Sequence, residues 1–152
     1  MDSSSEASTE RFGIELGLRI GQATCVSLVG PLGSGKSVIA RGICSGLGVK
    51  ESVVSPTFIL YEEYRGRLPV IHCDLYRLEH ERELEELGVF DRIGLDAVVL
   101  VEWGDRSPGI HDRADIVVQL AVTGGTGRRI DVHYRPWTRA LFDGWAATPL
   151  QG

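Results

Sequence analysis

The stretch that most constrains this chain is "GPLGSGKS", Gly30 to Ser37, which matches G-x-x-x-x-G-K-[ST] at every fixed position. The apolar run "TCVSLVG" leads into it and predicts a buried strand, while "VIARGICSGLG" follows with the spacing of a helix. Glycines allow such a loop to point its backbone N–H groups at phosphate oxygens, and the positive end of the next helix strengthens the attraction. The sequence therefore predicts a phosphate-binding loop between a strand and a helix.

Two side chains of this loop have defined chemical roles in such a motif. Lys36 is placed to reach the β and γ phosphates of a nucleotide, and the Ser37 hydroxyl is placed to ligate Mg²⁺. GTP-specific proteins with this loop read guanine through an Asn-Lys-x-Asp segment, and the chain contains no asparagine. A D-x-x-G match, "DRIG", follows a predicted helix rather than a strand, so we interpret it as a loop. ATP is therefore favoured over GTP.

Two apolar runs each end in a carboxylate, as expected of a strand that delivers an acid to the edge of a sheet. The run "VVLVE" ends at Glu102 and is continuous, which is typical of a central strand buried on both faces. The run "VIHCD" ends at Asp74 and is mixed, which predicts a hairpin strand with one wetter face. Glu102 is accordingly the favoured Mg²⁺ ligand. For either acid, a solvated strand end or a structural ion pair is the alternative.

Three further residues have an open interpretation from the residues alone. Thr57, in "SPTF", either offers its hydroxyl to the metal or the γ-phosphate or lies in a turn that begins a strand. His72 is favoured as a packed or hydrogen-bonded side chain of its strand over a catalytic one. Trp103, next to Glu102, either packs at the core or rim or covers the phosphates.

The pattern of runs and turns predicts an α/β fold, a single P-loop NTPase-like domain with a mixed parallel and antiparallel sheet flanked by helices. Helix spacing is present over 9–20, and a hairpin is predicted around Arg65 to Pro69. The segment "EHERELEELG" predicts a charged helix that presents Leu84 and Leu87. We expect residues 1–8 to be disordered, 9–135 to form the ATPase domain, and 136–152 to be a C-terminal tail with room for a short helix.

Composition limits the partners and the location of the chain. Its 152 residues carry a net charge of −5, which leaves little basic surface for autonomous nucleic-acid binding, so any RNA is expected to be reached through a partner. The three cysteines lie far apart without a C-x-x-C pair and are expected to be buried rather than bridged or zinc-bound. With no apolar run long enough to span a membrane, we expect a cytosolic protein without a membrane partner.

Four segments taken together, "GPLGSGKS", "SPTF", "HCDLYRL" with "ELEELG" behind it, and "VEWG", resemble the TsaE family of small P-loop ATPases. This family is needed for threonylcarbamoyladenosine modification of tRNA in bacteria, and the resemblance covers about 12–116. It implies a cytosolic ATPase, slow alone and stimulated by partners, that uses ATP and Mg²⁺. It also implies that the chain works with the TsaD and TsaB proteins at tRNA position 37 and contacts tRNA only through that complex.

The resemblance also assigns roles to individual residues. Ser37 and Glu102 would hold Mg²⁺; the family usually has Thr where this chain has Ser37, a change that keeps the hydroxyl. Asp74, Lys36 and Thr57 would act in hydrolysis, with Asp74 either a base or a conformational switch. The nucleotide base would be contacted near Thr9 or Glu10. The residues implied to hold the phosphates are Gly33, Ser34, Gly35, Lys36, Ser37 and Val38.

Two other functions are compatible with the loop. A small-molecule kinase of the shikimate or nucleoside type has this size and would close an arginine-bearing lid on a second substrate, with candidates Arg106, Arg113, Arg128 and Arg129. A nucleotide-dependent binding module, in which hydrolysis is incidental, is the third reading. No arginine finger can be assigned from the sequence.

Overall fold

The computed structural model describes residues 1–56 and 60–151. No helix in these two ranges is both long and apolar enough to cross a membrane. Two 3-10 segments, Gly104–Arg106 and Pro136–Phe142, accompany the regular elements. In chain order the helices and strands are β1 (Asp2–Ser3), α1 (Glu6–Arg19), β2 (Thr24–Val29), α2 (Lys36–Gly46), β3 (Tyr61–Arg65), β4 (Pro69–Asp74), α3 (Arg82–Glu86), α4 (Val89–Arg92), β5 (Val98–Glu102), α5 (Pro108–Arg113), β6 (Ile116–Gly124), β7 (Gly127–Tyr134) and β8 (Ala147–Pro149).

The strands form one mixed sheet in the order β1-β7-β6-β2-β5-β4-β3, with β8 also paired to β7. Strand β2 is central and pairs in parallel with both β5 and β6, and β4 pairs in parallel with β5. The pairs β3–β4 and β6–β7 are antiparallel hairpins. The predicted α/β fold with a mixed sheet and flanking helices is confirmed, and the strand that ends at Glu102 lies beside the strand that leads into the glycine loop.

Both faces of this sheet are covered, as the continuous apolar sequence of β5 predicts. Val98 and Leu100 belong to the core beneath α1 and α2, whereas Val99 and Val101 belong to a second core with residues of α3, α4 and α5. All four side chains are fully buried. Alternate residues of one strand therefore serve two cores, which requires apolar residues at successive positions.

Helices α1 and α2 cross in direct backbone contact. A Cβ on Gly46 of α2 would lie 2.2 Å from the carbonyl oxygen of Ile14, and a Cβ on Gly17 of α1 would lie 2.3 Å from that of Ile43. Only glycine permits this approach at either position. The crossing fixes α1 against the helix that begins at the glycine loop, so residues near the start of α1 are held close to that loop.

The prediction of disorder for residues 1–8 is wrong. Strand β1 pairs antiparallel with β7, placing Asp2 opposite Arg129. Ser5 caps α1 through the Ser8 amide, and the Ser8 hydroxyl accepts in return from the Ser5 amide. The Ser-rich composition that indicates disorder instead supplies the capping groups of a helix that begins at Glu6.

Two local predictions, for β4 and for the charged segment after it, need correction. Strand β4 has no wet face, since His72 and Asp74 are only 1% and 5% exposed and face other polar side chains. The charged helix is shorter than predicted because α3 spans only Arg82–Glu86, with Leu84 buried but Leu87 42% exposed. The prediction that the cysteines are buried and not bridged is confirmed, since all three are buried with free thiols.

Residues 136–151, the described part of the predicted tail, pack on the domain. They include the 3-10 segment Pro136–Phe142 and β8, which pairs with β7. The Trp145 ring lies 5.1 Å from that of Phe12 in α1, and Arg19 of the same helix lies over the Trp145 ring. This segment thus completes the core on the α1 side.

Candidate functional site: a carboxylate-lined phosphate cavity

A cavity of about 440 Å³ opens beside the loop that joins β2 to α2. The loop contributes Gly33, Gly35, Lys36, Ser37 and Val38 to its wall, while Ser34 of the same loop is fully buried. Five of the six residues predicted to hold phosphates therefore face one cavity.

The backbone of the loop requires glycine at two positions. Gly33 and Gly35 have φ values of 75° and 105°, in the left-handed region that other residues rarely adopt. Gly35 precedes α2 and provides no side chain to cap it. The first amides of α2 are thus left without a side-chain acceptor, at the end of the helix where the dipole is positive. This arrangement favours an anion in the cavity.

Lys36 is folded back on its own loop. Its Nζ donates to the carbonyl oxygens of Gly30 at 2.7 Å and Pro31 at 2.9 Å. Burial lowers the pKa of Lys36, and the nearby Glu102 carboxylate acts in the opposite direction. The lysine is therefore a partly desolvated cation at the wall of the cavity, where an anionic ligand would offer it stronger acceptors than two carbonyls.

Trp103 packs against the second core and also lines the cavity wall. Lys36 Nζ is 3.9 Å from the centroid of its ring, a cation–π distance, and the Tyr76 ring stands 5.2 Å away on the cavity side. Trp103 has a φ of 59°, which turns the chain sharply at the end of β5. The indole of Trp103 thus packs against Lys36, the side chain that is predicted to contact the phosphates.

The two acids are neighbours. Asp74 and Glu102 are directly opposite in the β4–β5 register, and Leu28 of β2 is opposite Glu102 on the other side. The Ser37 hydroxyl donates to Glu102 Oε1 at 2.6 Å. The residue predicted to share a metal with Ser37 is therefore already in contact with it, at the carboxyl end of a central strand.

Asp74 lies in a different set of hydrogen bonds. Its Oδ1 accepts from the Tyr76 amide at 2.9 Å, and its Oδ2 accepts from the Ser55 hydroxyl at 2.7 Å. The same Ser55 oxygen is 3.2 Å from Glu102 Oε2. Asp74 lines the cavity, so the two acids occupy one network but face different partners.

His72 is hydrogen-bonded within its strand layer, as favoured from the sequence, but its partner could not be foreseen. Its Nε2 lies 2.6 Å from Glu102 Oε2, and both side chains are almost fully buried. The pairing depends on the parallel register of β4 and β5, which brings together residues thirty positions apart.

The donor set suits Mg²⁺. Ser37 Oγ and Glu102 Oε1 are hard oxygen atoms next to the phosphate cavity. Within the described ranges, no group of three or more His, Cys, Asp or Glu side chains is arranged to hold a metal on its own. Mg²⁺ commonly takes one or two protein ligands and completes its shell with phosphate and water, which is the case that these residues fit.

Two of the predicted site residues are not seen to line this cavity, for different reasons. Thr57 lies outside the described residues. Glu10 accepts a hydrogen bond from Arg41 of α2 at 3.0 Å and is not among the described residues that line the cavity. Glu6 and Thr9, on the adjacent face of α1, line the cavity instead.

Arg128 and Thr126 also line the cavity. The sequence offered Arg128 only as a candidate lid arginine of the kinase alternative, and it gave no role to Thr126. Arg128 donates to the carbonyl oxygens of Gly33 at 3.0 Å and Ser34 at 2.9 Å, so it braces the phosphate loop from the β6–β7 hairpin. A single sequence does not indicate that Arg128 lies beside the loop, because this position depends on which strand pairs with β2.

Comparison with protein families identifies relatives over most of the chain. The model for "Threonylcarbamoyl adenosine biosynthesis protein TsaE" matches residues 3–130. A Haemophilus influenzae protein named tRNA threonylcarbamoyladenosine biosynthesis protein TsaE is 41% identical over 122 residues, covering 76% of this chain and 77% of its own. A Treponema pallidum protein of the same name is 32% identical over 130 residues, covering 86% and 96%.

A solved structure shares the fold. The crystal structure of Bacillus subtilis YdiB superposes with a TM-score of 0.72 at 23% sequence identity, covering 95% of this chain and 90% of that one. At this identity the likeness concerns the architecture, and it extends to the C-terminal segment that the family model leaves out.

Proposed function

The chain belongs to the TsaE family, and from this premise we propose that it binds and hydrolyses ATP with Mg²⁺ as a cytosolic accessory protein of tRNA threonylcarbamoyladenosine modification at position 37. The observation that carries the proposal is that Lys36 and Ser37 line one cavity and that Glu102 lies directly against Ser37. A nucleoside triphosphate with its metal requires three parts, and the site has each of them: a lysine held only by carbonyl acceptors, helix amides without a side-chain cap, and a serine–carboxylate pair.

The proposed roles follow from these positions. The backbone of Gly33 to Val38 would bind the phosphates, and Lys36 would move from its two carbonyls to the β and γ oxygens. Ser37 and Glu102 would hold Mg²⁺, which when bound offsets negative charge on those oxygens. Trp103 would limit the access of water to the lysine side of the cavity.

Asp74 is the residue that we propose for hydrolysis. It faces the cavity one strand away from the metal ligand, at a position from which a carboxylate can orient or deprotonate a water molecule. A conformational role is the alternative, because its bond to Ser55 ties it to the start of the "SPTF" segment that contains Thr57.

Slow hydrolysis by the isolated chain is expected, with TsaB and TsaD as the partners that complete the site. Of the described residues that line the cavity, Arg128 is the only arginine, and it is engaged with the carbonyls of the loop. An additional cation from a partner would therefore have a place to act. The net charge of −5 supports contact with tRNA only through those partners.

Reconstitution tests the proposal. Purified chain, TsaB, TsaD, threonylcarbamoyl-adenylate and tRNA are combined, and modified tRNA and inorganic phosphate are followed over several turnovers. Repeated turnover should need this chain with ATP, and Lys36→Ala should abolish it. Equal turnover without the chain would exclude the accessory role. Transfer of phosphate to a metabolite instead of release would support the kinase alternative.

Two substitutions separate the acids. Asp74→Asn should leave ATP binding within about threefold while abolishing partner-stimulated hydrolysis, since the acid acts after binding. Glu102→Gln should instead weaken the Mg²⁺ dependence of ATP binding. Normal hydrolysis by Asp74→Asn would remove that residue from the mechanism, and ATP-dependent partner binding with modification intact would indicate a binding module.

A further inference from the structure

The carboxylate of Glu102 is held at both oxygens by different donors. Ser37 donates to Oε1 at 2.6 Å, while His72 Nε2 lies 2.6 Å from Oε2. His72 is 1% exposed and Glu102 is 2% exposed, so water does not compete for this contact. Fixing Oε2 leaves Oε1 as the oxygen directed at Ser37 and the cavity.

The fold places His72 for this contact with little freedom. It lies on β4 two residues before Asp74, opposite Leu100 of β5. Strand β4 is hydrogen-bonded to β3 on one side and to β5 on the other. A carboxylate oxygen accepts, so Nε2 carries the hydrogen. Its Nδ1 is buried with no hydrogen-bond partner among residues 1–56 and 60–151, which suits the ring nitrogen without a hydrogen.

Ser55 does not replace this donor. Its hydroxyl has one hydrogen and lies closer to Asp74 Oδ2, at 2.7 Å, than to Glu102 Oε2, at 3.2 Å. The His72 ring, by contrast, has Glu102 as the partner of its Nε2. His72 is thus the main donor to Glu102 Oε2, the oxygen that faces away from Ser37.

We propose that His72 is a positioning residue that orients Glu102 for the metal, a role that rests on the proposed Mg²⁺-dependent binding of ATP. Loss of the donor would free the carboxylate to rotate and leave the buried Oε2 with only its longer contact to the Ser55 hydroxyl. Residues that orient metal ligands typically change metal affinity by about 10–100-fold when they are removed. Phosphate binding by the loop amides would be affected far less, because the hydrogen-bond partner of the His72 ring among the described residues is Glu102 rather than a loop atom.

The test measures ATP binding by calorimetry at increasing Mg²⁺ concentrations, with a parallel series in EDTA. His72→Leu removes the donor, and His72→Gln keeps an amide N–H near the position of Nε2. Cys73→Ala is the matched control, since Cys73 is fully buried on the same strand but packs in the core on the other face of the sheet. Melting temperatures of all variants report on folding.

His72→Leu should raise the Mg²⁺ concentration for half-maximal enhancement of ATP binding by about tenfold or more, as expected when a residue that orients a metal ligand is removed. Affinity in EDTA should stay near that of the native chain, and His72→Gln should recover most of the Mg²⁺ response. Cys73→Ala should lower the melting temperature without changing that response.

Three outcomes would overturn the inference. An unchanged Mg²⁺ response in both His72 variants, with Glu102→Gln showing a loss, would reject the positioning role and leave the proposed function intact. An equal loss in Cys73→Ala would show that general destabilisation is the cause. Absence of any Mg²⁺ dependence in the native chain would reject the inference together with the proposed metal site.

Discussion

Replacement of Gly46 by alanine tests how tightly α1 is held against α2. The new Cβ would lie 2.2 Å from the Ile14 carbonyl oxygen, 2.8 Å from the Leu18 nitrogen and 2.9 Å from the Gly17 Cα, all of them backbone atoms. Because backbone cannot rotate away, the helices must separate by about 1 Å, and we take the upper end of the usual overpacking penalty, about 3 kcal/mol. Alanine recovers about 0.5–1 kcal/mol through its better helix propensity.

The net loss is then about 2 kcal/mol, which for a domain of this size lowers the melting temperature by roughly 4–8 °C. Thermal denaturation followed by circular dichroism measures it. The control is Gly21→Ala, where the added Cβ meets nothing within 4 Å and should leave the melting temperature nearly unchanged. Equal melting temperatures for the two variants would refute the idea that backbone contact limits this crossing.

Three further substitutions test other contacts. Arg67→Met should lower stability by about 2 kcal/mol, because the guanidinium donates to three carbonyls at the ends of α1 and α2, and urea unfolding measures the change. Glu81→Gln should lower stability at neutral pH but less below its ordinary pKa of 4.5, since the hydrogen bond from Ser107 holds the pKa of Glu81 low and its contribution fades as acid protonates it. Arg128→Met should weaken ATP binding about tenfold by releasing two loop carbonyls, as calorimetry would show.

Each of these has a result that contradicts it. Full stability of Arg67→Lys would show that a forked donor is unnecessary at the helix ends. A stability difference for Glu81→Gln that grows as the pH falls would mean that the sign of the linkage is wrong. Native ATP affinity in Arg128→Met would mean that the loop holds its shape without the brace.

Those parts of the fold that depend on local pattern were predictable from the sequence. The loop, its helix and the strand ending at Glu102 each have a periodicity or a motif within a few residues, and the structure has all three. The proximity of Ser37 to Glu102 was also predictable, because a continuous apolar run indicates the strand beside the loop strand. These inferences need only the sequence neighbours of each residue and the rule that a continuous apolar strand lies at the centre of a sheet.

The remaining features depend on register between distant segments. Asp2 and Ser3 form an edge strand only because β7 offers a free partner there, and their polar composition does not reveal it. Arg128 reaches the loop because β7 pairs with β6, which in turn lies beside β2. His72 looked like a polar residue on a wet strand face because the sequence does not show that Glu102 is its neighbour across the sheet. A single sequence contains no signal for such pairings.

The two strand-end acids are separate in role but linked through one hydroxyl. Ser55 has a single hydrogen to give, and its oxygen lies within reach of both Asp74 Oδ2 and Glu102 Oε2. Glu102 has Ser37 at Oε1 and His72 at Oε2, while the Ser55 hydroxyl lies nearer to Asp74. Asp74 is held at its other oxygen by the Tyr76 amide. The Ser55 hydroxyl therefore links two acids that lie opposite each other on neighbouring strands, and each acid also has donors that the other does not share.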